Sequence, residues 1–341
     1  MSMKNGTTKK LRNRCLILWG IITISILLYK NYNYVHVPNI KNNKVISTNE
    51  VTKDKGYKNQ SFKKYDTNNS EEDIDENTYK KKDENADKDI NNEANLLHIM
   101  EKNIEENVSN NRKEYIYDAQ KVKDILDNKF ENDDEKIAFL TFDDGPSTSV
   151  TPQVLDTLKN YDVKATFFLV GQNIEINERS EELVKQMFEE GHAIGNHTYS
   201  HNMRKLYPGN HIDVNYYMEE VEQANAVIGN AIGQKFSTRV LRLPGGYMSR
   251  VYYSDPNLNE FDERLKEKDM YSIDWNAYDF DAEGRWKNSE ELLERVKESV
   301  GTQEKVVILM HDTYGKEETA RALPEIIEYL KTQGYEFKTI L

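Results

Sequence analysis

From Lys136 onward, short apolar runs alternate with segments whose apolar residues recur at helical spacing. "KIAFLTF", "ATFFLVG", "HAIGNHT", "TRVLRLPGG", "MYSIDWNAYDF", "KVVILMHD" and "YEFKTI" read as strands. Between them, "TPQVLDTLKN", "SEELVKQMFEEG", "VNYYMEEVEQANAVIG", "FDERLKEKD", "SEELLERVKESVG" and "ALPEIIEYLKTQG" read as helices. Thr151 is the expected cap of the first, with Pro152 at its first helical position. The second is expected to be capped by Ser180, to have Leu183, Val184, Met187 and Phe188 on one face, and to end at Gly191. Seven strands alternating with helices predict a parallel sheet, and that many units predict closure into a barrel. In such a barrel the side chains that do chemistry stand where strands end. Five polar clusters fall at those ends: "DDG", "HTYSH", "RLPGG", "DFDAEG" and "MHD".

The N-terminal part has a different texture. Cys15 to Tyr29 is an apolar run, and as a helix it is about 22 Å long, short of the roughly 30 Å of a bilayer core. Lys9, Lys10, Arg12 and Arg14 precede it, which predicts a cytoplasmic N-terminus and export of the rest of the chain. A cleaved signal peptide fits the length as well, but "LLYKNYNYV" offers no small-x-small cleavage site, which favours an uncleaved anchor. Glu71 to Asn95 holds fourteen charged residues and five Asn in twenty-five, too little apolar surface to offset the entropy of ordering. The expected organisation is a basic cytoplasmic segment at 1–14, an anchor at 15–30, a disordered tether at 31–132 and a catalytic domain at 133–341.

Charge and cysteine content narrow the chemistry. A net charge of -13 argues against a nucleic-acid partner, since phosphate is held by concentrated Lys and Arg. Cys15 is the only cysteine, so any metal must be held by His and carboxylate. His197 and His201 are four apart, and on a helical turn both rings would face one ion. Asp144 is the expected third ligand, leaving positions open for water and substrate; zinc is the expected ion, with cobalt and nickel also suited. Asp143, its neighbour, is then free to take a proton from water as general base. Arg242 is placed to pair with Asp143, and His311 to protonate a leaving amine with Asp281 behind it. A backbone N–H at Gly245 can stabilise an oxyanion, because glycine lets substrate approach closely.

"TFDDGP" (Thr141 to Pro146), "HTYSH" (His197 to His201), "RLPGG" (Arg242 to Gly246) and "LMH" (Leu309 to His311), in that order, resemble the motif series of the polysaccharide deacetylases. These form the NodB-homology domain of carbohydrate esterase family 4. "ATFFLVG" is similar to that domain's second strand, and the resemblance covers about Lys136 to Leu341. It implies a distorted (β/α)7 barrel and metal-dependent removal of acetyl groups from N-acetylated glycans. It also implies Asp143 as base, Asp144, His197 and His201 as ligands, Arg242 as partner of the base and His311 as acid. Two departures stand out. The family's R-P-P-Y becomes "RLPG", losing an aromatic, and its D-x-x-D-W becomes "YDFDA", keeping Asp281 but placing Ala282 where Trp is usual. The alternative "YSIDW" would nominate Asp274 instead; Trp286 and Tyr247 are aromatics that could replace the indole. The expectation is a monomeric, membrane-anchored enzyme acting outside the cytoplasm on peptidoglycan or a chitin-like glycan. An O-acetyl esterase of the xylan type, or an inactive glycan-binding relative, are the other readings.

Overall fold

The computed structural model describes residues 113–130 and 133–341; the predicted anchor and the tether up to Arg112 lie outside the described residues. In chain order the elements are β1 (Ile116–Tyr117), α1 (Ala119–Leu126), β2 (Ile137–Asp143), α2 (Thr151–Asn160), β3 (Thr166–Leu169), α3 (Gly171–Ile174), α4 (Glu178–Glu189) and β4 (Ala193–Asn196). They continue with α5 (Met203–Leu206), α6 (Val214–Ile232), β5 (Val240–Leu241), α7 (Tyr247–Tyr252), α8 (Leu258–Glu267), β6 (Tyr271–Ser272) and β7 (Ala277–Tyr278). The last are α9 (Ser289–Val300), β8 (Lys305–His311), α10 (Glu317–Thr332), β9 (Glu336–Phe337) and β10 (Thr339–Ile340).

The main sheet has the order β6-β5-β4-β3-β2-β8-β7, with β9 added on β2, and every pairing is parallel. β2 is central and all seven of its residues are buried, which is why its sequence is a continuous rather than an alternating apolar run. The edge strands β6 and β7 are separated by only Ile273–Asn276, a stretch that spans at most about 17 Å. The sheet therefore curls until its two edges approach, giving a parallel, open-seamed barrel rather than a flat sheet. The main core lies between the sheet and α2, α4, α9 and α10, filled by Leu155, Leu158, Leu183, Met187, Val296 and Ile326 among others.

Register, rather than any loop, brings the strand-end residues together. β8 pairs with β2 along its whole length, so Asp143 stands opposite His311. Asn196 stands opposite Leu241, so His197 and Arg242, one residue beyond, are also neighbours.

Five expectations are corrected, the first being "YEFKTI", which is not one strand but two, β9 on β2 and β10 on β1. "MYSIDWNAYDF" is not one strand but two, β6 and β7, because the chain crosses the seam between them: Ile273 N–H continues the ladder on Leu241 O while Asn276 N–H joins Val307 O. The cap of α2 is Val150, and Thr151 is already helical. The cap of α4 is Asn177, whose side chain accepts from Ser180 N–H, so the helix starts before Ser180. The packed domain also begins before 133. Asp118 caps α1, whose Ala119, Val122 and Ile125 bury against Ile137, Phe139, Val307 and Ile340, and β1 pairs with the C-terminal β10.

Candidate active site

β2 ends at Asp143, and the next residue turns into the left-handed region: Asp144 has φ +68°. Consecutive strand side chains would point to opposite faces. The turn cancels that alternation, and both carboxylates reach the same imidazole: His197 Nε2 is 3.8 Å from Asp143 Oδ2 and 3.4 Å from Asp144 Oδ1. Gly145 comes next because the Asp312 carboxylate occupies the place that a Cβ would take.

Arg242 orients Asp143 from inside the barrel. It is fully buried, and its Nη1 donates at 2.8 Å to both Asp143 Oδ1 and Thr141 Oγ1. Nε donates to Ile273 O at 2.8 Å and Nη2 to Asp274 O at 3.1 Å, while the guanidinium lies 4.2 Å from the centre of the Phe168 ring. A buried cation with four acceptors and an aromatic face is well compensated. Asp143 Oδ1 is engaged by this pairing and Oδ2 faces the imidazole side.

His197 and His201 do meet, but not on a helical turn. They bracket a loop in which Thr198 and His201 have φ of +65° and +52°. Thr198 Oγ1 accepts from His201 N–H at 3.1 Å, and the rings lie 4.9 Å apart. His197 Nδ1–H donates to Arg242 O at 2.7 Å, and since a carbonyl can only accept, Nε2 carries the lone pair of the neutral ring. Asp144 Oδ1 is buried, makes no hydrogen bond, and lies 3.4 Å from Nε2 of both rings. One ligand atom from each of the three residues falls within 4.8 Å of the others. An orphaned carboxylate oxygen between two imidazole nitrogens fits a divalent metal ion. Burial opposes the charge on Asp144, yet the surrounding His197, His201 and His311 hold its carboxyl well below the usual range.

On the other side of β2, His311 Nδ1–H donates to Asp281 Oδ1 at 2.7 Å, and His311 N–H to Asp281 Oδ2 at 3.2 Å. Burial disfavours the imidazolium, but Asp281, then Asp144 and Asp143, outweigh it and push His311 up to about 10. Asp274, the alternative partner, is engaged elsewhere: its two oxygens accept from Tyr247 N–H and Met248 N–H and so cap α7. Gly246 N–H is taken by Leu243 O, while Gly245, at φ +79°, is exposed.

Two buried carboxyls escaped the sequence reading. Asp279 shares Thr319 Oγ1 with Asp281, and burial together with the Asp281 charge raises it well above the usual value. Asp312 accepts from Thr151 Oγ1 through Oδ2, while its Oδ1 has no partner. "MHD" and "YDFD" display both, but nothing in the sequence marks which acids are covered. Trp286 and Tyr314 are exposed on the loops after β7 and β8, Trp286 at 70%.

The polysaccharide deacetylase family model matches residues 130–258. A peptidoglycan-N-acetylglucosamine deacetylase of Bacillus cereus is 34% identical over 214 residues, 62% of this chain and 71% of the relative. A second B. cereus protein of that name is 33% identical over 60% of this chain and 87% of its own length. Among solved structures, a Streptococcus mutans CE4 esterase is similar over 69% of this chain and 96% of its own, at 34% identity and a TM-score of 0.62. The catalytic domain of a Eubacterium rectale peptidoglycan N-acetylglucosamine deacetylase is similar over 62% of this chain and 91% of its own, at 28% identity and a TM-score of 0.53.

Proposed function

The chain belongs to the polysaccharide deacetylase family, and from that membership we propose that it hydrolyses the N-acetyl groups of peptidoglycan N-acetylglucosamine. One observation carries the reading: Asp143 with Arg242, the Asp144–His197–His201 cluster and the His311–Asp281 pair converge on one barrel rim. Asp144, His197 and His201 would hold a divalent metal ion, zinc by donor type, which when bound supplies positive charge to polarise an acetamide carbonyl and acidify water.

The protein's own groups do the rest. Asp143, held through Oδ1 by Arg242, accepts the proton of the attacking water on Oδ2. The backbone N–H at Gly245 donates to the oxyanion that forms as water adds to the carbonyl. His311, held through Nδ1 by Asp281, whose charge favours the imidazolium, gives a proton to the amine as the C–N bond breaks. Acetate and a free amine leave. The basic segment before 15–30 and the charged tether support a site of action outside the membrane, checked by recovery of the full chain in the membrane fraction and its loss on deletion of 1–30.

The test is acetate release by the purified full chain, with added Zn²⁺ or Co²⁺, from peptidoglycan, chitooligosaccharides and acetylxylan. Release from the N-acetylated substrates is expected, and Asp143→Asn is expected to lower it about 10²- to 10⁴-fold while zinc still binds. Normal turnover by Asp143→Asn would sink the mechanism. Release from acetylxylan alone would replace the reading with an O-acetyl esterase.

A further inference from the structure

The loop that carries the two imidazoles is fastened to α6 at both ends. At its start, the fully buried Asn196 accepts from Thr198 N–H through Oδ1 at 2.8 Å and donates through Nδ2 to Val221 O at 2.9 Å and Asn225 Oδ1 at 3.0 Å. Toward its end, Ser200 is gripped by the carboxylate of Glu220. Oε2 accepts from Ser200 N–H at 2.6 Å, and Oε1 accepts from Ser200 Oγ at 2.9 Å and from Tyr216 Oη at 2.6 Å. Ser200 Oγ in turn accepts from Asn202 N–H at 3.2 Å.

Glu220 is only 4% exposed, and a carboxylate is not kept out of water without compensation. Its compensation is three donors, two of them on the one residue that precedes His201. His197 has a separate anchor, the Arg242 carbonyl, whereas His201 sits at φ +52°, which an L residue keeps only where its surroundings enforce it. Its own N–H is held by Thr198 Oγ1, and the residue before it, Ser200, is held by Glu220.

We propose that Glu220 is a positioning residue for the metal site: by clamping the Ser200 amide and hydroxyl it sets the His201 imidazole where it can share a divalent cation with Asp144 and His197. The inference rests on the reading of those three residues as metal ligands and adds a residue from a different element, 19 residues beyond His201 and outside the motifs that carry the family resemblance.

The test is zinc affinity of the full chain, measured with zinc alone in competition with a chromophoric chelator, with circular dichroism of the zinc-free proteins as the folding control. Glu220→Ala is expected to raise the zinc dissociation constant at least about tenfold. Glu220→Gln keeps an oxygen for the Ser200 amide and is expected to recover most of that loss. Glu222→Ala, exposed on the same helix and paired with Lys268, is expected to leave the constant unchanged. Wild-type affinity in Glu220→Ala overturns the proposal, as does a Gln variant no better than Ala, which would assign the effect to charge. Should Glu220→Ala not fold, Ser200→Ala removes one of the two bonds and is expected to weaken zinc about threefold; no weakening there overturns the proposal equally. A wild-type chain that bound no zinc would instead overturn the metal reading beneath it.

Discussion

Asp312 keeps a carboxyl where water does not reach. Burial, with the charges of Asp144 and Asp143 added, pushes it up to about 7, against a hydrogen bond from Thr151 that pulls the other way. A carboxyl raised in the fold is most favourable to folding while neutral, so its contribution is present below the unfolded value near 3.8 and is lost as pH rises through about 7. Asp312→Asn keeps the shape and removes the ionisation. Thermal melts of the zinc-free chain from about pH 4 to about pH 8 should therefore show wild type losing stability relative to the variant; parallel profiles would count against a buried neutral acid. The strand-end side chains Asp143, Asp144, His197, His201, Arg242 and His311 were legible because rim position and residue type coincide. Asp312 and Glu220 were not, because their meaning comes from partners as distant as Thr151 and Ser200, and only the fold supplies those.

Elements show the same limit through "MYSIDWNAYDF". Its apolar spacing is continuous, yet it contributes one strand to each edge of the sheet, because spacing records burial and not which neighbour does the burying. Conversely, the four-residue His spacing suggested a helical turn, and the structure reaches the same juxtaposition with two left-handed residues in a loop. Packing between β3 and β4 gives a prediction at this scale. Gly195 lies opposite Phe168, and a Cβ on it would stand 2.5 Å from Phe168 Cδ1, on the ring that supports Arg242. Gly195→Ala is expected to cost about 1–3 kcal/mol in denaturant unfolding, with partial recovery when Phe168→Leu is added. An unchanged midpoint would mean that the ring moves freely, contrary to the packing described.

For the whole molecule, composition located the folded domain but misplaced its start. The polar stretch before Lys136 contains "AQKVKDIL", whose helical spacing does not reveal that its three buried residues cover the strand faces of Ile137, Phe139 and Ile340, with Ala119 N–H bonded to Leu341 O. A chain beginning at 133 should unfold at lower denaturant than one beginning at 113, since each fully buried aliphatic side chain contributes about 1.5–3 kcal/mol. Equal midpoints would remove α1 from the domain. The alternation of strands and helices nonetheless conveyed the parallel sheet, because each βαβ unit must bury two faces of strand. Arg242 ties the scales together: its guanidinium joins Ile273 O and Asp274 O beside the seam to Thr141 and Asp143 on the central strand. Removing that arginine would leave the four acceptors without their donor, whatever reaction the chain performs. Its retention in a related chain therefore does not by itself report hydrolysis, and under the proposed mechanism the diagnosis of a living or a retired enzyme falls to position 143 and the Asp144–His197–His201 cluster.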